Sequence, residues 1–145
     1  MLFRSLRTLH VRLREHGKNA QAVAEFLATQ KSVKRVYYPG LAGHPGHDIA
    51  KRQQSGFGAI VTIEVQGGVE GAKKFSEALE LFSLAESLGG VESLIAHPAT
   101  MTHAAMAPEA RAAAGLVDGL LRLSVGIEST DDLLRDLQVG IAALG

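Results

Sequence analysis

An α/β fold, specifically an α+β sandwich in which helices cover one face of a single sheet, is predicted by three features of the 145-residue sequence. A long amphipathic helix opens the chain, strand-like and helix-like segments then interleave through short connections, and the clearest strand alternates apolar with polar positions. The opening helix is read from Leu2, Leu6, Leu9, Leu13, Gly17, Ala20, Ala24 and Leu27, whose spacings of three and four place them on one face over residues 2–29. A helix already in phase at its second residue reads as cut.

The elements that follow are read in order. Val33 to Tyr38 is a short strand stopped by Pro39-Gly40, and the loop "LAGHPGHDIA" leads into a short helical piece. In "SGFGAIVTIEVQGG", Ala59, Val61, Ile63 and Val65 share one face while Ile60, Thr62 and Glu64 share the other, so this strand is expected to be half buried. Gly67-Gly68 ends it, and Val69, Ala72, Phe75, Ser76 and Leu79 repeat with the helical period. "LFSLA" and Glu92 to Ala96 read as two short strands. Pro108 suits a first helical position and Gly115 a helix end, which gives a short helix over 107–114. "GLLRLSVGI" is a strand with Leu121, Leu123, Val125 and Ile127 on one face and Arg122, Ser124 and Gly126 on the other. Ser129 or Thr130 caps the last helix, Asp131 and Asp132 suit the positive end of its dipole, and Leu134, Leu137, Ile141 and Leu144 form its apolar stripe.

Composition narrows the function classes. Fifteen basic and fifteen acidic residues give a formal net charge of zero, which argues against nucleic acid as a partner. Without cysteine there is no disulfide framework, thiolate metal cluster or cysteine nucleophile, and a cytoplasmic location is the expectation. No apolar run is long enough for a signal core or a membrane span. The arginines at 4, 7, 12 and 14 are compatible with a transit peptide, but Glu15 and the continuation of the stripe to residue 27 favour part of a folded element. No repeat, low-complexity run or linker marks a second domain, so residues 1–145 are read as one domain.

Polar residues concentrate in "LAESLGGVESLIAHPATMTHAAM", from Leu84 to Met106. Its Gly89-Gly90 pair permits either close approach of backbone amides to a ligand or simply a tight turn. His97 and His103 are each suited to acid–base work or to satisfying loop carbonyls. Arg122 points away from the core on its strand, where it is a solvated or glutamate-paired arginine or else a fork for a carboxylate. His44, His47 and Asp48 lie in a Pro/Gly loop without further ligands, so no metal site is expected. "GFGAI" precedes a strand rather than a helix and is not a phosphate-cradling loop.

Together "YYPGL", "SGFGAIVTIEV", "LAESLGGVESLIAHPATMTH", "APEARAAAGL" and "GLLRLSVGIES" resemble the C-terminal part of the Cys/Met-metabolism pyridoxal-phosphate enzymes of fold type I, such as cystathionine γ-synthase and γ-lyase. The resemblance runs over nearly the whole chain and implies a mostly antiparallel sheet behind a long helix, with residues 2–29 joining two domains and residues 30–145 forming the smaller one. It implies that Arg122 grips the α-carboxylate of an amino-acid substrate and that Ser87 and Thr102 line the same pocket. Glu86, just before "SLGG", is similar to the γ-synthase and γ-lyase branch.

The resemblance also implies pyridoxal 5′-phosphate as the cofactor of the complete enzyme, with its lysine in a larger N-terminal domain supplied in cis or in trans. Lys18, Lys31, Lys34, Lys51, Lys73 and Lys74 all lie outside the family's "S-x-T-K" setting, so no catalytic, cofactor-binding or metal-binding residue is assigned within this chain. The implied reaction is γ-replacement of an acylhomoserine ester by cysteine, in an assembly of tetramers built from dimers, with the isolated chain catalytically silent. Three other readings stay open: a cystathionine γ-lyase-type C–S lyase domain, a stand-alone binding or oligomerisation module, and a small-ligand regulatory sandwich.

Overall fold

A computed structural model describes residues 2–101 and 105–145. The long first helix, α1, spans Leu2–Ala28. Its second half enters the core through Ala20, Val23, Ala24 and Leu27, all fully buried. Its first half does not, since Leu6, Leu9 and Leu13 are exposed, and the apolar stripe therefore meets the sheet over only half its length.

After α1 come β1 (Val33–Tyr37), α2 (His47–Gln53), β2 (Ile60–Val65), α3 (Gly68–Glu77), β3 (Ser83–Leu84), β4 (Leu94–Ala96), α4 (Pro108–Ala113), β5 (Leu120–Ser124) and α5 (Thr130–Ala142). The strands form one sheet in the order β1-β2-β5-β4-β3. Every neighbouring pair is antiparallel except β3 with β4, which is parallel. The short strands expected at "LFSLA" and at Glu92 to Ala96 are both present but shorter than the sequence suggests.

Alternation decides the two faces of the sheet. Val61, Ile63 and Val65 of β2 and Leu121 and Leu123 of β5 point into a core shared with Ala72 and Phe75 of α3 and Leu133 and Leu137 of α5. Thr62, Glu64, Arg122 and Ser124 lie on the opposite face. Burial of the apolar set, at about 25 cal/mol per Å2, is the main stabilising term and fixes the register, because a slip of one residue would drive Arg122 into the core.

Three expected details differ. Ile127 is exposed, because β5 ends at Ser124 and the chain has left the sheet before residue 127. In α5 it is Leu133 with Leu137 that is fully buried, while Leu134, Ile141 and Leu144 only flank the core. Ser129 occupies the N-cap position without a side-chain cap bond, and the Thr130 hydroxyl instead donates to Asn19 Oδ1 at 2.6 Å.

Buried polar side chains tie the layers together. Asn19 Nδ2 donates to the carbonyls of Gly126 at 3.1 Å and Glu128 at 2.9 Å. His16 Nδ1 lies 2.6 Å from the Val125 carbonyl, which can only accept, so the proton sits on Nδ1. Asp136 accepts from three consecutive amides, those of Glu80, Leu81 and Phe82, at 2.7, 3.1 and 3.1 Å, and so fixes the chain entering β3 to α5.

Candidate substrate-carboxylate site

Parallel pairing of β3 with β4 determines what covers the open face. Parallel neighbours cannot be joined by a tight turn, so residues 85–93 must travel back along the sheet before β4 begins. They do so beside β5, on the face carrying Arg122 and Ser124. In register, Arg122 stands between Thr62 of β2 and Ala96 of β4, two small neighbours that leave room for a guanidinium.

Arg122 Nη2 donates to two successive carbonyls of this crossover, Glu86 O at 3.2 Å and Ser87 O at 2.9 Å. Its Nε is buried and has no hydrogen-bond partner among the described residues. A buried donor on a cation is costly to leave unmatched, and the group that best satisfies a guanidinium is a carboxylate. Ser124, two residues further along the strand and itself buried, accepts from the Gly89 amide at 3.0 Å. Gly89 has φ of +77°, in the left-handed region that favours glycine.

The far end of the crossover is held separately. Glu128 receives the Ser93 amide on Oε1 at 2.7 Å and the Ser93 hydroxyl on Oε2 at 2.9 Å. The same hydroxyl accepts from the Gly126 amide at 2.8 Å, and the Ile127 amide donates to Val91 O at 2.9 Å. A side chain at position 126 would run into the Glu128 carboxylate and the Val91 carbonyl, so glycine is required there by close approach.

Arg122, Ser87 and Glu86 are thus brought together, though through the backbone carbonyls of the latter two; both their side chains are exposed. Thr102, like His103, lies outside the described residues. His97 is buried, with Nε2 donating to Asp118 O at 2.8 Å and Nδ1 hydrogen-bonded to Thr100 Oγ1 at 2.8 Å, so both ring nitrogens serve the loop. His47 Nδ1 donates to Pro39 O at 2.8 Å, and His44 Nδ1 accepts from the Gly46 amide at 3.0 Å. Ser124, Ser93 and Glu128 were not among the site residues expected from the sequence. For Ser124 the signal was available, because it shares the polar face of its strand with Arg122.

Residues 1–142 match the family of Cys/Met metabolism PLP-dependent enzymes. The chain belongs to this family. Among the curated Cys/Met-metabolism relatives, cystathionine γ-synthase of Escherichia coli (strain K12) is 54% identical over 143 residues, covering 99% of this chain and 37% of that protein. L-methionine γ-lyase of Fusobacterium nucleatum subsp. polymorphum is 49% identical over 140 residues, covering 97% of this chain and 35% of that protein. Among solved structures, cystathionine γ-synthase of Xanthomonas oryzae pv. oryzae in complex with cystathionine superposes with a TM-score of 0.93 at 61% identity, over 97% of this chain and 36% of that one. The chain therefore spans little more than a third of the length of the relatives it matches.

The family is pyridoxal-phosphate dependent. A lysine that anchors such a group is activated by desolvation or by a neighbouring cation. All six lysines here are exposed, and Lys18, Lys34 and Lys73 each pair with a glutamate. They do not fit that role. What the described residues do provide is a partly buried guanidinium beside a crossover of backbone amides and carbonyls, an arrangement able to meet a carboxylate.

Proposed function

We propose that residues 1–145 form the substrate-carboxylate-binding C-terminal domain of a cytoplasmic, homo-oligomeric transsulfuration enzyme, with α1 joining it to a pyridoxal-phosphate-binding domain. The proposed activity is that of a cystathionine γ-synthase in methionine biosynthesis: cysteine replaces the acyloxy group at Cγ of an O-acylhomoserine ester, forming a C–S bond, breaking a C–O bond and releasing the carboxylic acid. The cofactor domain supplies the electron sink, whereas Arg122 fixes the α-carboxylate and so orients the amino acid. Ser87, Glu86 and Thr102 are proposed to line the same pocket. By itself the chain is expected to be inactive, since it carries no fitting lysine.

The observation that carries this reading is the partly buried Arg122 fork beside the Ser87 carbonyl, with a buried Nε that has no hydrogen-bond partner among the described residues. In the holoenzyme that contains this chain, Arg122→Ala is expected to cost about 2–5 kcal/mol in kcat/KM for the amino-acid substrate, as for truncating one partner of a desolvated charge pair. Unchanged efficiency would refute the assignment. Release of cystathionine from an O-acylhomoserine ester and cysteine separates the synthase from a γ-lyase, which would cleave cystathionine instead.

A second reading, a stand-alone docking or oligomerisation module, is favoured by the exposed Leu6, Leu9 and Leu13 of α1. Sedimentation of the isolated chain decides it, because a monomer that binds no partner leaves this reading without support.

A further inference from the structure

We propose that Ser124 is a positioning residue for substrate recognition: by holding the Gly89 amide it fixes the crossover whose carbonyls orient Arg122. This inference rests on the carboxylate-binding role proposed above for Arg122. Ser124 and Arg122 are two residues apart on one strand, so their side chains rise from the same face about 7 Å from each other. Between them they engage both ends of one short turn. Arg122 takes the carbonyls of Glu86 and Ser87, and Ser124 takes the amide of Gly89.

The two contacts differ in character. Arg122 is a long side chain with several rotatable bonds, and the direction of its fork is set only by the acceptors it meets. Ser124 is short, 2% exposed, and built into a paired strand between Ile60 and Leu94, so the sheet places its Cβ and a single rotatable bond sets its oxygen. Positional information therefore runs from the sheet through Ser124 to the turn, and from the carbonyls of the turn to the guanidinium. The Glu128–Ser93 contact secures the other end of the crossover but lies beyond Gly90, where φ freedom at Gly89 would let the turn drift if the Ser124 hydroxyl were missing.

Two measurements test this. In the 145-residue chain, amide hydrogen exchange followed by NMR should show Gly89 protected. Ser124→Ala and the near-isosteric Ser124→Cys, whose sulfur is a weak acceptor, should each speed exchange at Gly89 about tenfold or more while leaving the β2 and β5 amides unchanged. In the holoenzyme that contains this chain, kcat/KM is compared for the amino-acid substrate and its α-carboxamide. Both Ser124 variants should lower the acid-over-amide ratio about tenfold, mainly through KM, because a misdirected fork discriminates less.

A general loss of structural integrity would depress both substrates alike and leave that ratio unmoved. An unprotected Gly89 amide in the unaltered chain overturns the inference, and so does a ratio within about twofold of the parent in both variants. The underlying role of Arg122 is judged apart from this by Arg122→Ala: if that variant keeps the ratio, the carboxylate reading fails, whereas if it abolishes the ratio and the Ser124 variants do not, only the positioning role fails.

Discussion

Arg122 and Ser87 are joined across thirty-five positions of sequence by a guanidinium-to-carbonyl hydrogen bond of 2.9 Å, with the Glu86 carbonyl sharing the same nitrogen. One guanidinium nitrogen holds both carbonyls, which leaves the other N–H groups of the planar fork for a carboxylate. A lysine at position 122 would keep the charge but present a single tetrahedral nitrogen on a more strongly hydrated head. Arg122→Lys is therefore expected to recover little of what Arg122→Ala loses, with kcat/KM for the amino-acid substrate of the holoenzyme still down by about 2 kcal/mol or more. Steady-state kinetics on the three forms decides it.

The Glu128 carboxylate answers two donors on Ser93, one of them an amide that no other group satisfies among the described residues. Glu128→Ala should destabilise the chain by about 2–4 kcal/mol, the cost of stranding these donors, and Glu128→Gln by less because one acceptor survives. Urea unfolding, read as a change in midpoint at constant slope, measures both.

Asp136 is 7% exposed and receives three backbone amides on two oxygens. Asp136→Asn turns an NH2 group toward donors and removes the charge that strengthens these bonds, so a loss of about 2–4 kcal/mol is expected in the same unfolding assay. Little change would mean that the amides find other acceptors.

Tyr38 is buried beside Phe57 and donates to Gly58 O at 3.0 Å. Burial, reinforced by the negative charge of Glu25, pushes its hydroxyl from 10.0 to about 12. The folded form thus holds a proton that the unfolded form releases. Its contribution is complete below pH 10, the unfolded value, and disappears as pH rises through about 12. Unfolding free energy should fall over that window, and Tyr38→Phe should flatten the fall; an equally steep decline in the variant would assign it to other groups.

Where a segment buries one face, its pattern was readable. The alternation of Val61, Ile63 and Val65 against Thr62 and Glu64 placed β2 and its faces correctly, and the same alternation put Arg122 on the open side. The long helix was legible as a helix but not in what it covers. Leu6, Leu9 and Leu13 continue a stripe whose partner surface does not extend that far, and periodicity records a face without recording its partner.

Long-range polar pairings were not legible. Asn19 and His16 look unremarkable on a helix because their acceptors lie more than a hundred residues downstream. Likewise the glycines of "SLGG" suggested either a turn or an anion cradle. The arrangement is a turn whose carbonyls, rather than its amides, face the arginine, an outcome set by the parallel crossover and not by local sequence.

The anchoring of α1 through His16 and Asn19 to the segment leaving β5 has a mechanical corollary. From residue 16 onward the helix is bolted to the frame that bears Arg122, so the two can turn only as one lever. Any bend between that frame and Leu6 and Leu9 has to fall upstream of His16, within the solvent-facing turns. Force applied there would reorient Arg122 and its strand as a rigid body, without melting a single strand.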